Sequence, residues 1–212
     1  QLATGVAHEI RNPLASIRLG LQAAARGITS GDCDDAVASL RVVDQEIERC
    51  IDITGSLLKL STPSSSAVDL VSLTDVVREC MSLLAFEAEA TNIKVVIDME
   101  PMMRVIAPDS EMRMIVTNLT QNAFHAMPDG GTLTLVGRRE DQDVLLTFVD
   151  EGVGIRQEDI ERIFLPFWSH RADGVRGTGL GLAICRAILK RAGGTITVTS
   201  TPGRGSRFTV RM

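Results

Sequence analysis

Three short clusters between positions 118 and 181 have the chemistry to hold a phosphorylated ligand. In the first, Asn118, Asn122 and His125 stand four and three residues apart, which places them on one stripe of a predicted helix. Asparagine is a poor helix former, whereas an amide oxygen is a suitable ligand for Mg²⁺ that already shares phosphate oxygens. By themselves, the two asparagines fit equally well on the solvent face of an ordinary helix.

The second cluster, Asp150–Gly154 (DEGVG), directly follows a predicted strand at residues 144–149. A buried Asp150 could accept a hydrogen bond from an exocyclic amine, and Gly152 and Gly154 would let the backbone approach a planar ligand closely. An aspartate followed by glycines also forms ordinary turns, so this cluster alone leaves both interpretations open.

The third cluster is a glycine-rich turn that enters a predicted helix over residues 181–192. Its glycines expose backbone N–H groups, and a helix N-terminus favours bound anions. The spacing differs from G-x-x-x-x-G-K-[ST] and from G-x-G-x-x-G, and a plain turn before the helix remains an alternative. The turn consists of Gly177, Thr178, Gly179, Leu180 and Gly181.

The elements that must position these clusters mix helices and strands without strict alternation. This pattern predicts an α+β fold in which helices cover one face of a mixed sheet. Ser72 is the predicted N-cap of the first of these helices. The predicted helices cover 72–90, 109–127 and 181–192, and the predicted strands cover 93–99, 104–107, 131–138, 144–149, 195–200 and 206–211.

Residues 1–60 have a different pattern, with apolar residues at steps of three and four in two runs, 3–24 and 37–58. This spacing predicts two long helices, separated by glycines and capping residues at 27–34. An antiparallel helical hairpin cannot bury both apolar faces alone, so we expect a dimeric four-helix bundle. The predicted linker is Ser61–Ser66 (STPSSS).

The composition of the 212-residue chain argues against several classes of protein. Apolar residues make up 44% and charged residues 23%, which is typical of a globular protein. The net charge of −5 and the 3% aromatic content argue against nucleic-acid binding. The sequence contains no apolar run long enough to span a bilayer, so we expect no membrane contact within it. Four scattered cysteines predict reduced thiols in a cytoplasmic protein, with a redox role for Cys50 or Cys185 left open.

In chain order, four motifs resemble the ATP-site motifs of sensor histidine kinases, namely NLTQNA at 118–123, DEGVG at 150–154, FLPF at 164–167 and GTGLG at 177–181. With HEIRNP at 8–13 upstream, essentially the whole chain resembles the kinase core of a two-component sensor.

The resemblance implies a division of the chain into functional parts. Residues 1–61 would be the dimerisation and histidine phospho-acceptor domain, followed by a linker at 62–67. Residues 68–212 would be the catalytic ATP-binding domain, an α/β sandwich of the histidine kinase and gyrase type.

The implied cofactors are ATP and Mg²⁺. Asn122 would ligate the metal, with Asn118 next to it and His125 reaching a phosphate, while the turn Gly177–Gly181 would hold the phosphates through its N–H groups. We expect the loop Arg171–Gly177 to become ordered when nucleotide binds.

The resemblance also implies how the base is held. Asp150 would recognise the adenine amine, Gly152 and Gly154 would admit the base, and Phe164 and Phe167 would sit on a lid over the nucleotide. Core packing is a compatible role for both phenylalanines. Similar chains often carry Thr-Lys before the glycine turn, where this chain has Trp168-Ser169-His170-Arg171. Arg171 could supply the positive charge with a different geometry, and we assign His170 no catalytic role.

On the first predicted helix, His8 lies at the edge of the apolar seam. A neutral imidazole is nucleophilic, and the adjacent Glu9 is the natural acceptor for its other proton. Asn12 lies one helical turn further on, where the resemblance implies that it positions a water for dephosphorylating the partner. Pro13 is expected to bend the helix.

The implied function is ATP-dependent autophosphorylation of His8, followed by transfer to an aspartate in the receiver domain of a response regulator, with phosphatase activity towards that regulator. We expect a homodimer whose sensor domain, membrane-bound or soluble, precedes residue 1. An ATPase of the gyrase or MutL type and a degenerate kinase that serves as a dimeric scaffold remain alternatives.

Overall fold

The computed structural model describes residues 2–61, 67–169 and 177–212, with the side chains of 2–9, 52 and 56–61 outside the description. The chain forms two compact units, residues 1–62 and residues 63–212. We refer to them as the hairpin unit and the sandwich unit.

The hairpin unit consists of helices α1 (Leu2–Ser30) and α2 (Cys33–Ser61). They are joined by a two-residue connection in which Asp32 caps α2, because its Oδ1 accepts a hydrogen bond from the Asp35 N–H at 3.1 Å. The predicted break at 27–34 is therefore shorter than expected, and α1 continues through Gly27. A Cβ built on Gly20 would lie 2.6 Å from Cγ2 of Val43, so the two helices approach closely there.

The hairpin unit leaves many large apolar side chains exposed. Ala24, Ala36 and Val43 are buried, whereas Leu14 and Leu21 of the predicted seam are 53% and 50% exposed. A single pair of helices shares one contact face and cannot cover more than that. The large apolar side chains left exposed are Leu14, Leu19, Leu21, Ile28, Val37, Leu40, Val42, Ile47 and Ile51.

The strands of the sandwich unit are β1 (Asp69–Ser72), β2 (Ile93–Met99), β3 (Arg104–Ala107), β4 (Gly131–Glu140), β5 (Asp143–Asp150), β6 (Thr195–Thr201) and β7 (Gly205–Arg211). They form a five-stranded sheet in the order β2-β4-β5-β7-β6 and a two-stranded sheet, β1-β3. In the larger sheet, β2 and β4 are parallel and the other neighbours are antiparallel. The helices are α3 (Leu73–Leu83), α4 (Ala85–Ala90), α5 (Asp109–Ala126) and α6 (Gly181–Arg191), with 3₁₀ turns at Gln157–Asp159 and Arg162–Phe164.

The core of the sandwich unit lies between this sheet and its helices. Leu133 and Leu135 of β4 alternate with half-buried residues, which is the pattern of a strand with one buried face. On β5 and β7, Phe148 and Val210 are buried in the same core. Helices α5 and α6 pack together and on the sheet, so the residues they carry are held by a common core.

Two local features differ from the sequence expectation. The predicted helix 72–90 is two helices that meet at Leu84, and its predicted cap is confirmed, because Oγ of Ser72 accepts a hydrogen bond from the Asp75 N–H. Strand β1 was not predicted, since four residues beside a polar linker carry too little alternation to be recognised. It pairs with β3, with Leu70 opposite Ile106.

Candidate functional site

Helix α5 holds the polar stripe that the sequence predicted. Asn118, Asn122 and His125 are all half-buried, next to a buried apolar stripe that includes Ile115 and Leu119. The apolar stripe fixes the rotation of the helix, because it must face the core. The three polar side chains therefore line the border between core and surface, where a ligand could reach them.

The stripe meets the glycine-rich turn at Asn118. A Cβ built on Gly181 would lie 3.2 Å from Oδ1 of Asn118, so the asparagine amide lies directly against the first residue of α6. The same amide hydrogen-bonds with the thiol of Cys185, one turn into α6. Complete burial raises the pKa of Cys185 to about 12, so this group stays a thiol at neutral pH. Asn118 is thereby held in place from the α6 side.

The N-terminus of α6 is suited to an anion. Its N-cap is Leu180, which makes no side-chain cap hydrogen bond, so the first N–H groups of the helix are left without that partner. Leu180 is fully buried and anchors the turn, whereas Gly177, Thr178 and Gly179 are half-buried. The buried leucine fixes the turn while the backbone on either side stays accessible.

Asp150 is the last residue of β5 and is 4% exposed. Its Oδ1 accepts hydrogen bonds from the N–H groups of Gly152 at 2.9 Å and Ser206 at 3.1 Å. Burial raises the pKa of Asp150 above its usual value, although the two N–H donors act in the opposite direction. Both of these bonds go to one oxygen, so the carboxylate is oriented while Oδ2 takes part in neither.

The chain's own backbone requires glycine at two positions of the DEGVG motif. A Cβ on Gly152 would lie 2.4 Å from the carbonyl oxygen of Ala126, the last residue of α5. Gly154 has a φ of +70°, and a Cβ there would lie 2.2 Å from the carbonyl oxygen of Thr201. Packing alone thus accounts for both glycines, and the expectation that they admit a base remains a prediction.

Of the two phenylalanines of the FLPF motif, Phe167 lies against the glycine-rich turn and Phe164 contacts helix α6. Phe164 is 7% exposed at the end of a 3₁₀ turn. Phe167 is half-buried with a φ of +66°, and its N–H donates to the carbonyl oxygen of Gly179 at 2.9 Å. The segment in which this chain differs from the usual Thr-Lys pattern lies partly outside the described residues, which include Trp168 and Ser169 but not His170 and Arg171. The rest of the predicted loop up to residue 176 lies outside them too.

Sequence reasoning missed several partners of these residues. Ser206, which orients Asp150, stands 56 positions away in the chain, and Arg186, which contacts Phe164, stands 22 away. Ser200 links the same region, since its Oγ accepts from the Ile155 N–H and donates to the Gly205 carbonyl, both at 2.8 Å. None of these contacts has a local pattern, because strand pairing and helix packing create them.

The hairpin unit carries the other predicted residues. His8 and Glu9 lie on α1, but their side chains are outside the described residues. Asn12 is exposed one turn further along, and Pro13 is buried within the same continuous helix.

Two kinds of feature are absent from the described part of the chain. No group of three or more His, Cys, Asp or Glu side chains within it could hold a metal ion. No helix of that part is both long and apolar enough to cross a bilayer.

Two family models match the chain. One, described as "Histidine kinase-, DNA gyrase B-, and HSP90-like ATPase", matches residues 108–212, and the other, described as "His Kinase A (phospho-acceptor) domain", matches residues 1–66.

Among relatives, the chain is 34% identical to the sensor histidine kinase ZraS of Salmonella typhi, over 99% of this chain and 44% of the relative. It is 33% identical to sporulation kinase D of Bacillus subtilis, over 100% of this chain and 41% of the relative. The chain therefore spans less than half the length of either relative.

Solved structures of histidine kinases share the fold. The histidine kinase ThkA, in complex with the response regulator protein TrrA, superposes with a TM-score of 0.82 at 25% identity, covering 100% of this chain and 60% of that one. The histidine kinase AdeS of Acinetobacter baumannii gives a TM-score of 0.78 at 23% identity, covering 97% of this chain and 96% of that one.

Proposed function

Since the chain belongs to the sensor histidine kinases, we propose that it phosphorylates its own His8 from ATP and passes the phosphoryl group to an aspartate of a response regulator. We further propose that it dephosphorylates that regulator. Residues 68–212 would be the catalytic domain, residues 62–67 the linker and residues 1–61 the phospho-acceptor and dimerisation domain. The observation that carries the proposal is the contact between Asn118 and Gly181, which joins the amide stripe of α5 to the anion-binding end of α6.

The nucleotide would bind across these two helices. The turn Gly177–Gly181 and the first N–H groups of α6 would hold the phosphates, aided by the favourable field of the helix end. Asp150 would accept a hydrogen bond from the adenine amine, and its fixed orientation supports that role. Phe164 and Phe167 would cover the nucleotide, and His125 would contact a phosphate.

The residues present fit a magnesium ion that arrives with the nucleotide. Asn122 offers a neutral amide oxygen at a half-buried position of α5, with Asn118 one turn earlier. One amide oxygen cannot hold Mg²⁺ without further ligands, and phosphate oxygens would supply them. When bound, the ion neutralises phosphate charge during transfer.

The acceptor chemistry would take place on α1. A ring nitrogen of His8 attacks the γ-phosphorus, the new P–N bond forms as the bond to the ADP oxygen breaks, and Glu9 receives the proton of the other ring nitrogen. The product is a phosphoramidate, from which the receiver aspartate takes the phosphoryl group. Asn12, which is exposed, would position the water that hydrolyses the phosphoryl group on the response regulator.

Two hairpin units would form a homodimeric four-helix bundle. The exposed leucines and isoleucines of α1 and α2 support this, because burying them against a second copy removes apolar surface from water. We place the protein in the cytoplasm, where ATP and response regulators are found.

Incubation with γ-labelled ATP tests the proposal. We expect label on the protein that is stable in base and labile in acid, which is lost in His8→Ala and retained in the matched control His170→Ala. Asn122→Ala should also abolish labelling. Phosphate release without labelled protein would instead support an ATPase of the gyrase or MutL type, and neither signal would support a degenerate scaffold.

A further inference from the structure

Arg186 contacts Phe164 in two ways. From its position on α6, its Nη2 donates a hydrogen bond to the Phe164 carbonyl oxygen at 3.1 Å. Its guanidinium carbon also lies 5.3 Å from the centre of the Phe164 ring, which is within the range of a cation–π interaction. A planar guanidinium can make both contacts at once, which a single ammonium group cannot do as well.

A second contact, at Phe167, holds the other end of the segment Phe164–Phe167. The Phe167 N–H donates to the carbonyl oxygen of Gly179, two residues before α6 begins. Gly179 has a φ of +64°, and a Cβ there would lie 2.6 Å from the carbonyl carbon of Phe167. The segment Phe164–Phe167 is therefore fastened at one end to the middle of α6 and at the other end to the turn that precedes α6.

The backbone conformation of Phe167 shows that its hydrogen-bonded contacts restrict this segment. Its φ of +66° is uncommon for a residue other than glycine. Phe167 is the third residue of the turn Leu165–Trp168, which the Trp168 N–H closes by donating to the Leu165 carbonyl at 3.2 Å, and a positive φ at that position is typical of a type II turn. The bond from the Phe167 N–H to Gly179 then fixes this turn against the glycine-rich turn.

We propose that Arg186 is a positioning residue for nucleotide binding. It fastens Phe164–Phe167 to α6, so that the aromatic segment and the phosphate-binding turn act on the nucleotide as one body. This role rests on the proposed function, because the segment can retain a nucleotide only if one binds there. Arg186 acts through Phe164 and takes no part in the transfer itself.

In this role, Arg186 affects how long the nucleotide stays bound and not the rate of phosphoryl transfer. Without the guanidinium, Phe164 loses one hydrogen bond and one ring contact with α6, while Asn122, Asp150 and the glycine-rich turn are unchanged. We therefore expect Arg186→Met to raise the dissociation rate of a fluorescent ADP analogue and the KM for ATP three- to tenfold. The rate of His8 labelling at saturating ATP should stay within twofold of the original.

Two further variants make the test specific. Arg186→Lys keeps the charge and a donor for the carbonyl, so we expect it to restore part of the lost retention. Lys190→Met removes a positive charge from the same helix at an exposed position, and it should leave both the dissociation rate and KM unchanged. That comparison distinguishes the contact with Phe164 from a general effect of charge on α6.

Circular dichroism first establishes that each variant is folded. Unaltered ADP release and KM in folded Arg186→Met would overturn the proposal, as would an equal change in Lys190→Met. Should Arg186→Met fail to fold, Arg186→Gln decides in its place: at least twofold faster release supports the role, and release at the original rate overturns it. If the unmodified protein does not bind the ADP analogue, the proposed function fails and the role of Arg186 fails with it.

Discussion

Asp150 shows how a single side chain can be prepared for one hydrogen bond. Two backbone N–H groups orient its carboxylate, and one of them comes from a distant strand. Burial makes the charged form costly, so the group has a raised pKa and a strong tendency to accept a further donor. In the proposed function, the exocyclic amine of adenine would be that donor.

We predict that Asp150→Asn weakens ADP binding by about five- to 150-fold. The asparagine oxygen must face the N–H groups of Gly152 and Ser206, which turns its NH₂ group towards the adenine amine and places two donors together. A buried polar contact left unmade costs about 1–3 kcal/mol, which corresponds to about five- to 150-fold in affinity. Calorimetry with ADP measures the change, and undiminished affinity in a folded variant would exclude Asp150 as the base-recognising group.

The raised pKa adds a dependence on pH to the same prediction. Recognition needs the ionised carboxylate, so the affinity of the original protein for ADP should fall as pH decreases through the raised pKa, at a less acidic pH than for an ordinary aspartate. Asp150→Asn has no proton to gain there and provides the control. Fold stability has the opposite sign, because the buried group binds its proton more tightly when folded and stabilises the fold less as pH rises.

At the scale of elements, the hairpin unit depends on where its helices approach. Gly20 of α1 has no room for a side chain, since a Cβ there would meet Val43, whereas a Cβ on Gly55 of α2 would meet nothing within 4 Å. Both glycines are helical, so replacement by alanine has the same intrinsic benefit at each.

The two glycines form a matched pair for a stability test. We predict that Gly55→Ala raises the free energy of unfolding by about 0.5–1 kcal/mol. Gly20→Ala should lower it, because overpacking costs about 1–3 kcal/mol and exceeds the same helical gain. Thermal unfolding of the full chain measures both, and equal stabilisation by the two substitutions would show that the helices are not close at Gly20.

The sequence predicted the larger elements well because each has a strong local pattern. Strands β2 and β3 have the predicted bounds, and α5 ends one residue earlier than expected. The fold of two helices followed by an α+β sandwich is confirmed, as is the resemblance to sensor histidine kinases. Strand β1 escaped prediction because its order comes from pairing with β3 rather than from its own four residues.

The site was predictable only in its motifs. Asn118 lies against Gly181, the last residue of the glycine-rich turn, because α5 and α6 pack together. The supporting contacts of Ser206 and Arg186 arise from pairing and packing across 56 and 22 positions, which no local pattern encodes.

At the scale of the whole molecule, we expect the exposed apolar surface of the hairpin unit to determine the state of assembly. We predict that the unmodified chain is a dimer and that Leu21→Glu makes it a monomer. Leu21 is half exposed and gains about 1 kcal/mol on burial in each subunit, while a carboxylate buried there would cost several kcal/mol. Light scattering after size-exclusion chromatography measures the mass.

Leu83→Glu is the matched control for that experiment. Leu83 is 82% exposed on α3 of the sandwich unit, so the same change of residue should leave the dimer intact. A monomeric parent chain, or a dimer that tolerates Leu21→Glu, would contradict the four-helix bundle.

The hydrogen bond from the Ser206 N–H to Asp150 depends on a strand that the ribosome makes late. Strand β7 is synthesised after every other strand of its sheet and pairs in the middle of it, between β5 and β6. A nascent chain that has emerged only as far as α6 already carries the asparagines and the glycine-rich turn, yet its aspartate still lacks one of its two backbone donors. The Asp150 carboxylate is therefore held by both hydrogen bonds only after β7 has paired with β5.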